Sequence, residues 1–473
     1  MRKRDKVVMN DSKEKEHPPL FVGAAKADIT PDFGTQIAGD IGRYRPVEEI
    51  RDRLYARIVV LKSGDHTACF VLCDMDCMQG SIALQIRAKI AAILDTTPDN
   101  VMIHCVQSHS AARVGGMFED VNHILTPELG WVRGETPAYN ELFTKRILEG
   151  VHTAKNTVPA RLKAARAIDG RCAFNRRFVM RDGSAKTHPG YCNPNILYCE
   201  GPIDPEAALW LFEDLNSKPI AGLLHYTCHP THGYPHRYIS ADWPGLWSEI
   251  MSKKLGHDCI VGCINGACGN IAPSDHANPD YDRATSLDLM LKHLTQTGEK
   301  LIASLESVEA APLKTVSRII KIPRRQPTQE DADKARQMIK DHPTPIFLDE
   351  KKERISWDWV FALRTLDMIH KLEVNPNYGF EIQVFRMGDV IMVGWPGEPF
   401  VEAQLEVKLN SPAKYTIVGH ECNDDGSCGY LPTLKAIERG GYETWGKLPP
   451  GTLENITGRT INIVKDIWNR RTV

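Results

Sequence analysis

The stretch His225 to Trp247, H-Y-T-C-H-P-T-H-G-Y-P-H-R-Y-I-S-A-D-W-P-G-L-W, concentrates groups that bind metals and move protons. His225, His229, His232 and His236 fall in it, out of seventeen histidines in the chain, together with the acid Asp242. Neutral imidazole is a usual ligand of catalytic zinc and the commonest general base. The four histidines do not read alike. His225 belongs to a strand pattern and reads as a hydrogen-bonded core residue. His232 and His236, among Gly, Pro and Tyr, read as ordinary loop groups. His229 is the metal-ligand candidate, because Pro230 restricts the backbone before it. Asp242 either handles protons or caps the following helix.

Similar groups recur where other strands run out. Gln107 and His109 open the polar turn Q-S-H-S-A-A-R-V-G-G, and Asn265 to Pro273, N-G-A-C-G-N-I-A-P, is a loop able to aim backbone N–H groups at a ligand. Glu398 stands in W-P-G-E-P-F, between a strand and a helix and close to that helix's positive end. Tyr430 lies in a C-terminal loop. Two imidazoles and a carboxylate suit a catalytic zinc that keeps one position open for water. No H-E-x-x-H occurs, so spacing alone does not select this chemistry.

The elements that must position these groups follow from apolar pattern. Ile220 to Leu224 predicts a buried strand. Leu246, Trp247, Ile250, Met251 and Leu255 predict a helix with Pro244 in its first turn and Gly256 past its end. Strands are expected over residues 21–31, 56–61, 68–72, 101–106, 161–169, 259–264, 381–386 and 390–395. Helices are expected over 81–94, 136–155, 284–305 and 400–409. Residues 327–371 are polar and helical, a peripheral insertion or lid. Strands and helices mix without strict βαβ alternation, which predicts an α+β fold of layered sheets flanked by helices.

The totals set bounds. The chain has 473 residues, 42% hydrophobic and 25% charged, with a net charge of −2. That composition is ordinary for a globular protein and gives no electrostatic case for nucleic acid. No apolar run is long enough to span a bilayer. Residues 1–19 are charged, without the apolar centre of a secretory signal, and read as a disordered tail before a single domain over 20–473. Thirteen cysteines scattered through apolar segments favour free thiols in a reducing, cytoplasmic setting. Cys263 with Cys268, and Cys422 with Cys428, lack zinc-finger spacing and read as structural.

Over about Phe21 to Tyr442 the sequence resembles the catalytic domain of the neutral, non-lysosomal ceramidase family. The resemblance rests on D-I-T-P at 28–31, S-H-S-A at 108–111, N-R-R at 175–177, G-P-I-D at 201–204 and H-P at 229–230. It continues through S-A-D at 240–242, G-N-I-A-P at 269–273, P-G-E at 396–398 and G-Y-L-P-T at 429–433. It implies a ceramidase-type fold and a zinc held by two histidines, a glutamate and a tyrosine, to which His229, Glu398 and Tyr430 correspond. It also implies substrate contacts for His109 and Arg176. Two positions depart from the family pattern. Gln107 replaces the first histidine ligand, so His109 takes over coordination, the metal is a harder divalent ion, or there is none. Ala272 replaces the serine nucleophile, and Ser274, two positions on beyond Pro273, is expected to face elsewhere. The chain ends soon after these motifs, so the family's C-terminal immunoglobulin-like domain is not expected.

These residues imply a metal-dependent hydrolase of a small-molecule amide or ester, not long-chain ceramide, in which an activated water replaces the serine. His109, Asp242 and Tyr430 are the catalytic candidates. His109, His229, Glu398 and Tyr430 are the candidate ligands of Zn2+ or another divalent metal, and Gln107, Arg176, Gly269 and Asn270 the candidate substrate contacts. Arg176, Tyr430 and the backbone of 266–270 are expected to meet developing negative charge. A glycoside hydrolase pairing Glu398 with Asp242 or Asp74, with Trp243, Trp247 and Trp395 near the sugar, is one alternative. A non-catalytic small-molecule-binding protein is another.

Overall fold

The strand Tyr55–Ser63 is buried along nearly its whole length, as a strand covered on both faces must be. It lies inside a nine-stranded sheet. In this computed structural model, which describes residues 18–118, 125, 127–424 and 428–469, the sheet order begins Ile260–Asn265, Pro219–Tyr226, Glu206–Asp214, Val158–Ile168. It continues Leu20–Asp28, Tyr55–Ser63, His66–Cys73, Val101–Cys105, with Glu306–Val308 paired to Val158–Ile168. The tail expected over residues 1–19 falls almost wholly outside the described residues. A second sheet runs Leu313–Pro323, Asn377–Met387, Val390–Gly394, Tyr415–Gly419.

The two sheets face each other. Phe70 meets Phe385 edge to face at 4.9 Å, and Met102, Trp210, Met392 and Ile417 fill the same core. Helices Gly80–Leu94, Pro137–Ala154, Asp242–Leu255 and Ser286–Ala303 cover the outside of the first sheet. Helices Val401–Asn410 and Thr452–Asn469 cover the outside of the second. The result is helices, sheet, sheet, helices: the α+β layering that the pattern predicts. The strands Glu206–Asp214 and Leu313–Pro323 and the last helix, Thr452–Asn469, are elements that pattern reading does not mark out.

Within these two sheets most pairings are antiparallel, but three are parallel: Pro219–Tyr226 with Ile260–Asn265, His66–Cys73 with Val101–Cys105, and Val390–Gly394 with Tyr415–Gly419. A parallel pair brings two carboxyl ends to the same edge of a sheet, where ligand sites usually form. Here those ends lead to Gln107, His229, Cys268, Glu398 and His420. Two backbone bonds join the sheets at that edge, from Cys105 N–H to Glu421 O and from His420 N–H to Asn265 O, both 3.2 Å.

Asp74, one of the carboxylates considered for a sugar reaction, is not at this edge. It is 2% exposed and lies 2.7 Å from the guanidinium of Arg57, itself 1% exposed. Arg57 also pairs with Glu249 at 2.9 Å, so Asp74→Ala would leave that buried cation with one part-exposed partner, at a cost of about 3 kcal/mol. Urea unfolding should show the loss, with the site residues unaltered in position.

Candidate active site

A cavity of about 880 Å³ opens above the strand ends and is walled by, among others, Asp76, Gln107, His109, Arg176, His232, Glu398 and Tyr430. His109 reaches it from the turn after Val101–Cys105. Its N–H donates to Pro230 O at 3.1 Å, and its carbonyl accepts from Arg45 at 3.1 Å. Gly39 allows this placement: its φ is +87, in the region that favours glycine, and a Cβ there would come within 2.6 Å of the His109 ring.

His229 is buried, and its Nδ1 lies 3.2 Å from Cys268 O. A carbonyl can only accept, so Nδ1 carries the proton and Nε2 presents its lone pair. That Nε2 is 3.0 Å from His109 Nε2 and 4.0 Å from Glu398 Oε2. Glu398 Oε2 is buried without a hydrogen-bond partner.

Glu398 and Tyr430 are direct register partners in a two-residue parallel ladder, Glu398–Pro399 with Tyr430–Leu431. This ladder brings the tyrosine beside the carboxylate across a sequence gap that no periodicity reveals. Gly269 backs the junction, where a Cβ would sit 2.4 Å from Glu398 O. Arg176 donates to Tyr430 Oη at 3.2 Å and to Gly269 O at 2.6 Å, and pairs with buried Glu443 at 3.3 Å.

Burial lowers the His109 pKa to about 3, aided by the charges of Arg45 and Arg176. Burial, with Arg176 and His109, holds His229 well below its usual value. Burial raises Glu398 to about 7 against the pull of Arg176 and hydrogen bonds from Gln107 and Tyr430. Both imidazoles are therefore neutral at physiological pH, the form that binds metals. Among the described residues, no group of three or more His, Cys, Asp or Glu side chains is arranged as a ready metal cage.

Several expected residues hold other places. Gln107, with φ of +67, lines the cavity, but its amide oxygen is 3.0 Å from His420 Nε2 and within 3.7 Å of Cys268 Sγ. Gly269 and Asn270 tie the loop to its neighbours: Gly269 N–H donates to Pro399 O at 3.0 Å, and the Asn270 side chain bonds Glu402 and Val401 N. The N–H groups of Gly266 and Ala267 are likewise spent on Tyr226 O and Gln404 Oε1. They are not free to bind an oxyanion. Trp243, Trp247 and Trp395 are fully buried core residues, so they offer no face to a sugar.

Asp242 is the first residue of its helix, not the residue before it, and is buried. Its carboxylate is turned to His232, with Oδ1 at 2.7 Å from Nδ1 and Oδ2 accepting the His232 N–H at 2.9 Å. The loop reading of His232 is thus incomplete, whereas His225, bonded to Val418 O, and His236, stacked on Tyr238, are as expected. Ala272 is buried in a short strand paired with Phe174. Ser274, expected to face elsewhere, lines the cavity, its Oγ 3.4 Å from Tyr281 Oη.

Sequence reading also misses His420, which sits behind Gln107, and the pair His188–His276, 2.9 Å apart in the cavity wall. The partners of that pair are 88 residues apart on loops, and no local pattern links them. The segment 327–371 contributes helices Gln329–Asp341 and Trp357–Val374. The second brings Trp357, Phe361 and Arg364 to the cavity. All thirteen cysteines are free, including both close pairs.

No family model matches this sequence, and no curated protein does. Solved structures do. The neutral ceramidase of Pseudomonas aeruginosa superposes with a TM-score of 0.71 at 17% identity, over 97% of this chain and 76% of that one. A ceramidase complexed with C2 gives 0.71 at 16% identity, over 96% and 76%. Likeness at that level of identity is a statement about architecture, and the architecture of this chain is that of the neutral ceramidases.

Proposed function

We propose that this protein is a hydrolase of amides or esters in which a divalent metal, zinc in the first instance, is held by His109, His229 and Glu398 with Tyr430 beside them. One observation carries the reading. At the wall of the cavity the Nε2 atoms of His109 and His229 stand 3.0 Å apart, with an unpartnered carboxylate oxygen of Glu398 at 4.0 Å from the second. Ligands around tetrahedral zinc sit roughly 3.3 Å from one another, given bond lengths of about 2.0–2.1 Å. The donor types fit, the two imidazoles close to that spacing and Glu398 wider than it. The Cys268 carbonyl fixes the tautomer of His229, as partners behind metal-bound histidines commonly do.

When bound there, the metal would supply hydroxide near neutral pH by acidifying a water. The protein's own groups do the rest. Arg176 and the Tyr430 hydroxyl line the cavity together with Glu398, and donors held in place in this way would stabilise negative charge growing on a carbonyl oxygen. Tyr430 stays protonated, its pKa raised by burial and by Glu398. Tyr234, Trp357, Phe361 and Tyr442 add aromatic surface to the cavity wall. Among the described residues, no helix is long and apolar enough to cross a membrane. The free thiols support the cytoplasmic setting as part of this proposal.

Ala272 removes the route through an acyl-enzyme, since a methyl group cannot attack a carbonyl. Ser274 does not restore it: its hydroxyl meets the hydroxyls of Tyr281 and Tyr191 and not a base that would activate it. Ser274→Ala should therefore keep kcat within about twofold, and rapid-quench kinetics should show no burst. The function is tested by turnover on a panel of esters, amides and glycosides before and after chelation. Ester or amide cleavage that chelator stops and added zinc restores supports the proposal. Cleavage of glycosides alone, or full activity in chelator, refutes it.

A further inference from the structure

The strongest unassigned chemistry in the cavity belongs to His232. Its Nδ1 is held at 2.7 Å by Asp242 Oδ1. Its Nε2 is buried, has no hydrogen-bond partner and belongs to a residue that lines the cavity. A buried imidazole nitrogen left unpaired is costly unless something else pairs with it. Asp242, the partner, adopts φ of +48, in the left-handed region that is uncommon and mildly strained for a residue other than glycine, though Asp enters it more readily than most.

Those surroundings tie the pair to the other site residues. Asp242 N–H donates to Ser240 Oγ at 3.1 Å, and Ser108 Oγ donates to Ser240 O at 3.1 Å. Ser240 N–H donates to Ser110 O at 3.0 Å. Ser108 and Ser110 flank His109, so the strained residue is fastened to the same turn. Gly233, next to His232, packs against Ser110 so closely that a Cβ would overlap its hydroxyl. His232 itself is three residues beyond His229.

We infer that His232 is the proton-transfer residue of this site and that Asp242 is its positioning residue. The inference rests on the hydrolase reading above. Nε2 takes a proton from the attacking water as the new C–O bond forms. The imidazolium then gives its Nε2 proton to the leaving nitrogen or oxygen as the C–N or C–O bond breaks, leaving a carboxylic acid and a free amine or alcohol. Asp242 stays ionised throughout. Burial pushes its pKa up, but His232 and the N–H groups of Trp243 and His232 outweigh this and hold it below the usual range. The substrate class follows: an amide or an alkyl ester, whose leaving group cannot depart without a proton.

The test compares wild type, His232→Gln and Asp242→Asn on the p-nitrophenyl and ethyl esters of one short acid. In His232→Gln, kcat on the ethyl ester should fall about 10²–10⁴-fold with KM nearly constant. On the p-nitrophenyl ester, whose leaving group departs as the anion, only the help to the attacking water is lost, so kcat should fall at least about tenfold less than on the ethyl ester, with metal content unchanged. Asp242→Asn should share that selectivity. Equal losses on both esters, no loss on either, or loss of metal in step with activity would overturn the assignment. If wild type cleaves neither ester, the hydrolase reading fails by itself. The pairing is then read separately from ¹⁵N spectra of the His232 ring. A proton on Nδ1 and none on Nε2 upholds the dyad, and the reverse tautomer removes it.

Discussion

His229→Ala is expected to lower kcat/KM by at least about 10³-fold and to leave the protein unable to retain its metal. Changing a group that merely supports a metal ligand already costs 10- to 100-fold in affinity or activity, and His229 is a ligand in this account. The loss should come from chemistry and not from unfolding. The His229 ring is held chiefly by the Cys268 carbonyl, and its removal leaves a small polar cavity in a loop, outside the two-sheet core. His236→Ala is the control. That ring stacks on Tyr238 away from the ligand cluster, and its loss should change kcat/KM less than twofold. Metal content and steady-state rates on one ester, measured for both variants, check the expectation.

Arg176→Lys is expected to cost about 10²–10³-fold in kcat with little change in KM, the usual loss when one donor to a developing oxyanion is removed. The guanidinium spans Tyr430 Oη, Gly269 O and the Glu443 carboxylate at once. An ammonium group keeps the charge but cannot hold that forked geometry. Lysine is the informative substitution because alanine would confuse two effects. Glu443 is fully buried and paired with both Arg176 and Arg177, so deleting the charge would also destabilise the fold. A transition-state analogue such as a phosphonate should lose affinity in parallel with kcat, while substrate KM stays nearly fixed.

How far these residues could be read from sequence depended on the range of the interaction that places them. His109, His229 and Glu398 each follow a strand whose apolar run is visible, so their position at a strand end was legible. Their convergence was not periodic information. It arises because parallel pairs in both sheets put their carboxyl ends on one edge, and the resemblance to ceramidases supplied what pattern could not. His232 shows the limit. Its neighbours Gly233, Tyr234 and Pro235 describe a turn correctly, but its role depends on Asp242 folding back across ten residues in a strained conformation. The tryptophans erred in the other direction. Trp243, Trp247 and Trp395 are close in sequence to site residues, yet they point into the core, while distant Trp357 reaches the cavity.

The most direct measurement is anomalous diffraction at the zinc edge from crystals of the protein purified without added metal. The account predicts one peak about 2.0–2.2 Å from His109 Nε2, His229 Nε2 and a Glu398 carboxylate oxygen. Crystals of protein active on esters or amides that show no metal peak among these three side chains would contradict it.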